Sequence, residues 1–167
     1  TRTAGGHRRI PTHEAIRFIR ESNASIAKPD LLGLPDLGDV HVSGVLSGKA
    51  DAALYDALAA GNADLARGLI FAFLLKTRSL GEVCDGPISH AMHRIGELWL
   101  HSDRGIFIEH RASEICFQCL QQVRQLLRPT PENAPLAIGC SPTGESHSLP
   151  SLMAAAVAYK RSTNCSS

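Results

Sequence analysis

Three groups of residues are of types and spacings that could do chemistry. Trp99, the single tryptophan, precedes the pair Glu109-His110 by a nine-residue spacer. That spacing sets a large flat ring near an acid and an imidazole at one surface of a helical unit. On residue types alone, Trp99 reads as core, Glu109 near a helix start complements the dipole, and a lone His110 is structural. The second group is Gly144-Glu145-Ser146-His147, behind the apolar run at 136–140. A histidine on a loop after a strand is well placed to coordinate a transition metal, with Glu145 orienting its ring. The third is the basic turn at 3–10, where two glycines permit a tight bend and Arg2, His7, Arg8 and Arg9 can face a phosphate backbone. The guanidinium fork suits phosphate oxygens, although a solvated basic turn uses the same residues.

Other reactive residue types point nowhere in particular. Cys116 and Cys119 have CxxC spacing but fall inside a long helical pattern with no second ligand pair, so they read as core cysteines rather than zinc ligands. His90 and His93 lie one turn apart without a carboxylate at ligand spacing, and read as a surface or packed pair. Neither a phosphate-binding loop nor a Gly-x-Ser-x-Gly nucleophile is present, so nothing argues for a hydrolase.

The elements that must position these groups are mostly helical. Pro11 and Thr12 are start signals for a helix carrying Ala15, Ile16, Phe18 and Ile19. Residues 23–47 hold prolines and glycines without a sustained period and read as a linker. Residues 48–130 read as a four-helix bundle. Its first helix runs over about 49–60, and Gly61-Asn62 supplies a stop and then an N-cap. The second, over about 63–76, shows Leu65, Leu69, Ile70, Phe73 and Leu74 at helical spacing. Ser79 and Glu82 have capping-box spacing. Pro87 stands as a first-turn proline before a helix reaching His101. The last and longest helix, over about 106–127, has an apolar stripe from Ile108 through Cys116 and Leu120 to Leu127. Residues 134–167 read as the start of a Rossmann-like domain, a buried strand, a loop and a helix, without a second strand.

Composition agrees with a folded chain. Of 167 residues, 44% are hydrophobic and 20% charged, which is enough apolar material for a core. No apolar run approaches the ~18 residues that span a bilayer, and no signal peptide opens the chain. The first residue is Thr1, so the sequence reads as an interior piece of a longer protein. Five scattered cysteines favour a reducing, cytoplasmic setting. The net charge of +1 hides an asymmetry. Residues 1–22 hold five arginines against two glutamates, a net of +3, which leaves −2 on the rest. A basic head on a mildly acidic body fits a piece that faces nucleic acid.

Taken as strings, the same segments resemble known families. Residues 3–10 with the helix behind them resemble the wing of MerR/excisionase-type winged helix-turn-helix domains. The resemblance implies DNA binding through Arg2, His7, Arg8 and Arg9. The strings at 93–99 and 109–114, with Trp99 and Glu109-His110, resemble the helical cobalamin cap of photoreceptor transcriptional regulators of the CarH/LitR group. There the tryptophan and the Glu-His pair flank the upper face of the corrin, roles that fall on Trp99, Glu109 and His110. Glu145 and His147 resemble the (Asp/Glu)-x-His-x-x-Gly signature of cobalamin domains, which makes His147 the lower cobalt ligand. Pro150 stands where that signature has glycine. The resemblance implies a non-enzymatic, cobalamin-dependent transcriptional regulator. Adenosylcobalamin is the expected cofactor, with methylcobalamin second, light the expected input, and DNA and further copies of the chain the expected partners. A corrinoid carrier for methyl transfer is the alternative, and a degenerate protein-interaction module is a third reading. One strand cannot complete the lower half of a cobalamin pocket, so residues 134–160 are expected to be poorly ordered or to lie against the bundle.

Overall fold

Polar caps and one glycine divide the bundle as its sequence dictates. The computed structural model describes residues 10–34, 48–77, 79–100, 103–127 and 148–161, with short pieces at 132–133, 138–140 and 142–144. Helix α1 spans Thr12–Ser22, α2 Gly48–Ala60 and α3 Ala63–Lys76. Gly61 turns the chain between α2 and α3 at φ 76°. The Asn62 side chain then accepts the Leu65 amide at 3.1 Å as the N-cap. Gly61 also faces the Arg111 guanidinium so closely that a Cβ would collide with it. Arg111 Nη2 donates to the Ala59 carbonyl at 2.7 Å, fastening the end of α2 to a later helix.

Ser79 caps the short α4, Leu80–Val83, by accepting the Glu82 amide at 3.1 Å. The chain does not break at Pro87, contrary to the expected helix start. A π-helical turn over Cys84–Ile88 carries Pro87 inside it and leads directly into α5, Ser89–Gly96. The wider i→i+5 turn has room for a proline that offers no amide hydrogen. Helix α5 also stops short of His101, passing into a 3₁₀ turn over Glu97–Leu100. Helix α6, Asp103–Leu126, and α7, Leu149–Arg161, complete the order. The described residues are predominantly helical and form the expected helical bundle. Of the buried strand expected over 136–140, residues 138–140 are described, belong to no regular element and are exposed, Ile138 to 85%, while 136–137 fall outside the described residues.

Helix α3 is the centre. It was expected to bury one face, but every residue from Gly68 to Leu75 is buried, and only Leu65 of the expected stripe is exposed, at 37%. The reason is that α1, α2, α4 and α6 all pack around it. Phe71, Leu54, Leu58, Ile70, Leu74 and Leu120 are fully buried where these helices meet. Across the bundle, the Arg94 guanidinium lies 3.7 Å from the Tyr55 ring centroid and ties α5 to α2.

Helix α1 is docked on this core rather than held apart from it. Ile16 is buried, Arg20 Nη2 donates to the Thr77 carbonyl at 3.0 Å, and Lys76 Nζ donates to Asn23 Oδ1 at 2.6 Å. Helix α7 lies against α6 and α4, burying Leu149, Leu152 and Ala156. Over Leu149–Arg161 this is the second of the two arrangements expected for residues 134–160. Docking of α1 predicts that Ile16→Ala lowers stability by about 2–4 kcal/mol, as lost core volume does. Phe18→Ala, at a side chain 63% exposed, should change it by no more than about 0.5 kcal/mol. Urea unfolding of the two variants checks this. Equal losses would mean that α1 does not bury Ile16.

Candidate functional site

The second face of α6 builds a cavity. One face of this helix sends Ala112, Cys116, Cys119 and Val123 into the core. Glu109, His110, Ser113, Glu114 and Phe117 recur at three-to-four spacing on another and line a cavity of about 1110 Å³. The π turn adds Cys84, Asp85 and Ile88, α5 adds Ser89, Met92 and Gly96, and the 3₁₀ turn adds Trp99. Helix α7 supplies the remaining wall through Leu149, Pro150, Met153, Ala154, Val157 and Ala158.

Trp99 and Glu109-His110 therefore meet, as their spacing suggests. The Trp99 and His110 rings stack with centroids 6.3 Å apart and planes inclined by 29°. Trp99 is not core: 44% of it is exposed. Its position depends on Gly105, where the first turn of α6 passes against the preceding 3₁₀ turn. A Cβ at Gly105 would overlap the Leu98 carbonyl and sit 2.9 Å from the Trp99 amide nitrogen. Only glycine permits that approach.

Glu109 is buried at 8% exposure, the one acidic residue in the described interior. Its Oε1 accepts from Ser113 Oγ at 2.7 Å. Its Oε2 lies 3.0 Å from His110 Nδ1 but receives no hydrogen bond. The two observations agree once the imidazole is considered, because Nδ1 also stands 3.0 Å from the Ile106 carbonyl. A carbonyl can only accept, so in the tautomer with its hydrogen on Nδ1 the imidazole donates to Ile106 and leaves the carboxylate a contact without a bond. A buried oxygen without a donor is costly to keep. It suits a site whose ligand brings a donor.

Cys84 is shut away. Burial, with Asp85 adding to it, pushes its thiol up to about 11. Cys116 is pushed up further by burial beside Cys119 and Cys84. Both stay protonated and unreactive near neutral pH, in keeping with core cysteines. No metal-ligating group of three forms among the described residues. His90 and His93 are exposed, 3.6 Å from Asp51 and 3.8 Å from Glu97. Arg2, His7, Arg8, Arg9, Glu145 and His147 lie outside the described residues.

Sequence reading missed Asp85, Ser113, Glu114, Phe117 and the whole α7 wall. The stripe from Glu109 to Phe117 carried a usable signal in its helical spacing. Nothing local marked Asp85, and α7 was legible as a helix but not as a wall of this cavity.

The residues fit a large, mainly apolar ligand with polar edges. The volume stands just above the range of ordinary small-molecule pockets, roughly 300–1,000 Å³, and the indole, Met92, Phe117 and Met153 offer flat or adaptable apolar surface. Residues 50–124 match the family model of the B12 binding domain. The match covers α2 through most of α6, the helices that hold Trp99, Glu109 and His110, and supports a cobalamin-type cofactor. No curated protein and no solved structure gives a match. No described helix is long and apolar enough to cross a membrane.

The close approach at Gly105 predicts the outcome of one substitution. Gly105→Ala should keep the helical circular dichroism within about 10% of the parent, since alanine favours helix. It should shift the emission maximum of Trp99 by driving the 3₁₀ turn off α6. An unchanged emission spectrum would show that α6 relaxes without moving the indole.

Proposed function

We propose that this chain is the cobalamin-sensing part of a transcriptional regulator, with adenosylcobalamin as its cofactor and light as its input. The observation that carries the reading is the pairing of the Trp99–His110 stack with the buried, donor-poor Glu109 on one cavity. Trp99, Glu109 and His110 would hold the upper side of the cofactor. When bound, adenosylcobalamin supplies a cobalt–carbon bond that visible light can break.

The residues of this chain would favour an adenosyl over a methyl upper ligand. Glu109 Oε2 needs a donor, and an adenosyl group brings hydroxyl and amino donors, whereas a methyl group brings none. Trp99 gives that group a flat surface and limits water around it. His110, held by the Ile106 carbonyl, keeps the edge of the stack in place. His147 would serve as the lower cobalt ligand, with Glu145 behind it.

The regulatory part of the reading rests on the basic sequence at 2–10 and on α1. Helix α1 packs on α3 and α6, so a rearrangement of α6 around the cavity would reach α1, the element that follows Arg8 and Arg9 in the sequence. A shift in population between two bundle states could then alter how copies of the chain assemble on paired half-sites in DNA. Sensing of this kind needs no catalytic turnover. The basic segment and the Trp99/Glu109/His110 combination favour a sensor over a corrinoid carrier.

Absorbance titrations in darkness with adenosyl- and methylcobalamin, repeated after green light, test the reading. The parent chain should prefer the adenosyl form and lose it on illumination. Trp99→Ala should cut the preference by about tenfold, the scale of one lost aromatic contact, while the bundle stays folded. Equal affinity of the parent chain for both forms, in darkness and light, would refute the adenosyl assignment.

A further inference from the structure

The charge on the cavity wall is one-sided. Its described lining contains three acidic side chains, Asp85, Glu109 and Glu114, with the imidazole of His110, and neither lysine nor arginine. Asp85 and Glu114 are exposed, and Glu114 Oε1 accepts from Gln118 Nε2 at 2.8 Å. Glu109 is buried, and its Oε2 has no hydrogen bond. Asp85 sits on the π turn and Glu109 and Glu114 on α6, so the negative charge of the lining comes from two elements. Such a wall offers acceptors and asks for donors.

We infer that this cavity selects tetrapyrroles whose peripheral arms are carboxamides and rejects those whose arms end in free carboxylates, with Asp85 and Glu114 as the specificity-determining residues. The inference rests on the cobalamin reading and deepens it. A carboxamide is neutral and brings N–H donors, so it can satisfy a carboxylate oxygen while giving up little hydration. A carboxylate arm has no proton to donate. It meets like charge from Asp85 and Glu114, and it finds no lysine or arginine in the described lining to offset its desolvation. Rejection of the wrong ligand thus comes from a repulsive element in the wall as well as from favourable contacts with the right one. Haem, with its two propionate arms, is turned away on the same ground as an unamidated corrin. The polar edge of the cavity therefore discriminates by charge, and the apolar floor accepts any flat ring of suitable size.

Two corrinoids that share a ring and differ in their arms provide the test. Dicyanocobinamide carries amidated arms, and dicyanocobyrinic acid carries free carboxylates. Equilibrium dialysis of the whole chain at low salt, read by corrin absorbance, should show the amide form binding about tenfold tighter or more. The gap should shrink as salt screens the exposed acids. In an Asp85→Asn, Glu114→Gln double variant, checked for unchanged circular dichroism, the ratio should fall below about threefold, chiefly because the acid form binds better. Equal binding of the two corrinoids to the parent chain would overturn the inference and leave the cobalamin reading standing. An undiminished ratio in the double variant would show that Asp85 and Glu114 are not its source. Failure of both dicyano corrinoids to bind a chain that binds adenosylcobalamin would overturn the inference alone, and failure of adenosylcobalamin as well would overturn the cobalamin reading with it.

Discussion

What the cavity presents depends on how closely α6 can approach the turn that precedes it. Gly105 is where the two backbones meet, with the Leu98 carbonyl and the Trp99 amide taking the space a side chain would fill. This approach carries the indole to the His110 ring. Glu109, one helical turn beyond Gly105, faces the same space. A larger residue at position 105 would have to separate the turn from the helix, and the aromatic wall would part from the polar one. A single absent methyl group thus sets the geometry of three functional candidates.

Stability and function occupy different faces of α6. Toward the core, α3 is buried by neighbours on nearly every side, and Phe71, Leu58 and Leu120 lock the packing. Toward the cavity, the helix keeps a buried carboxylate with one oxygen lacking a hydrogen bond. Such an arrangement costs free energy in the ligand-free chain and is retained where a surrounding core can offset it. The adaptable wall is α7, which reaches the cavity through Met153, Val157 and its alanines while anchoring itself with Leu149, Leu152 and Ala156. Docked helices on both flanks make the bundle larger than the segment that matches the B12 binding domain. Helix α1 lies before that segment and α7 after it.

Local chemistry made much of this legible. Asn62 and Ser79 announce helix starts by side-chain type, and both cap as expected. The wide stripe of α6 was visible as spacing, and the meeting of Trp99 with Glu109-His110 followed from one turn between two helices. Other features depend on distant neighbours. Helix α3 looks like a one-sided helix because periodicity cannot count how many partners will surround it. Pro87 looked like a helix start because a proline inside a π turn uses the same missing N–H that suits a first turn. Gly105 falls in the spacer before the expected helix and nothing marks it there, since its requirement comes from another backbone. The acid character of the cavity was hidden because Asp85 and Glu114 are 29 positions apart in the sequence and share a wall only after folding.

The central claim is that cobalamin occupies the cavity walled by Trp99, the Glu109–His110 edge and α7. Trp99 is the only tryptophan of the chain, so its emission reports on that cavity alone. Titration with adenosylcobalamin in darkness, following Trp99 emission and corrin absorbance together, is the most direct measurement. Corrins absorb where indole emits, so a ligand in contact with the ring should quench it. The account predicts saturable quenching of most of the emission, with a midpoint that coincides with the absorbance change. Saturable binding in the corrin spectrum with unquenched Trp99 emission would place the cofactor elsewhere and contradict it.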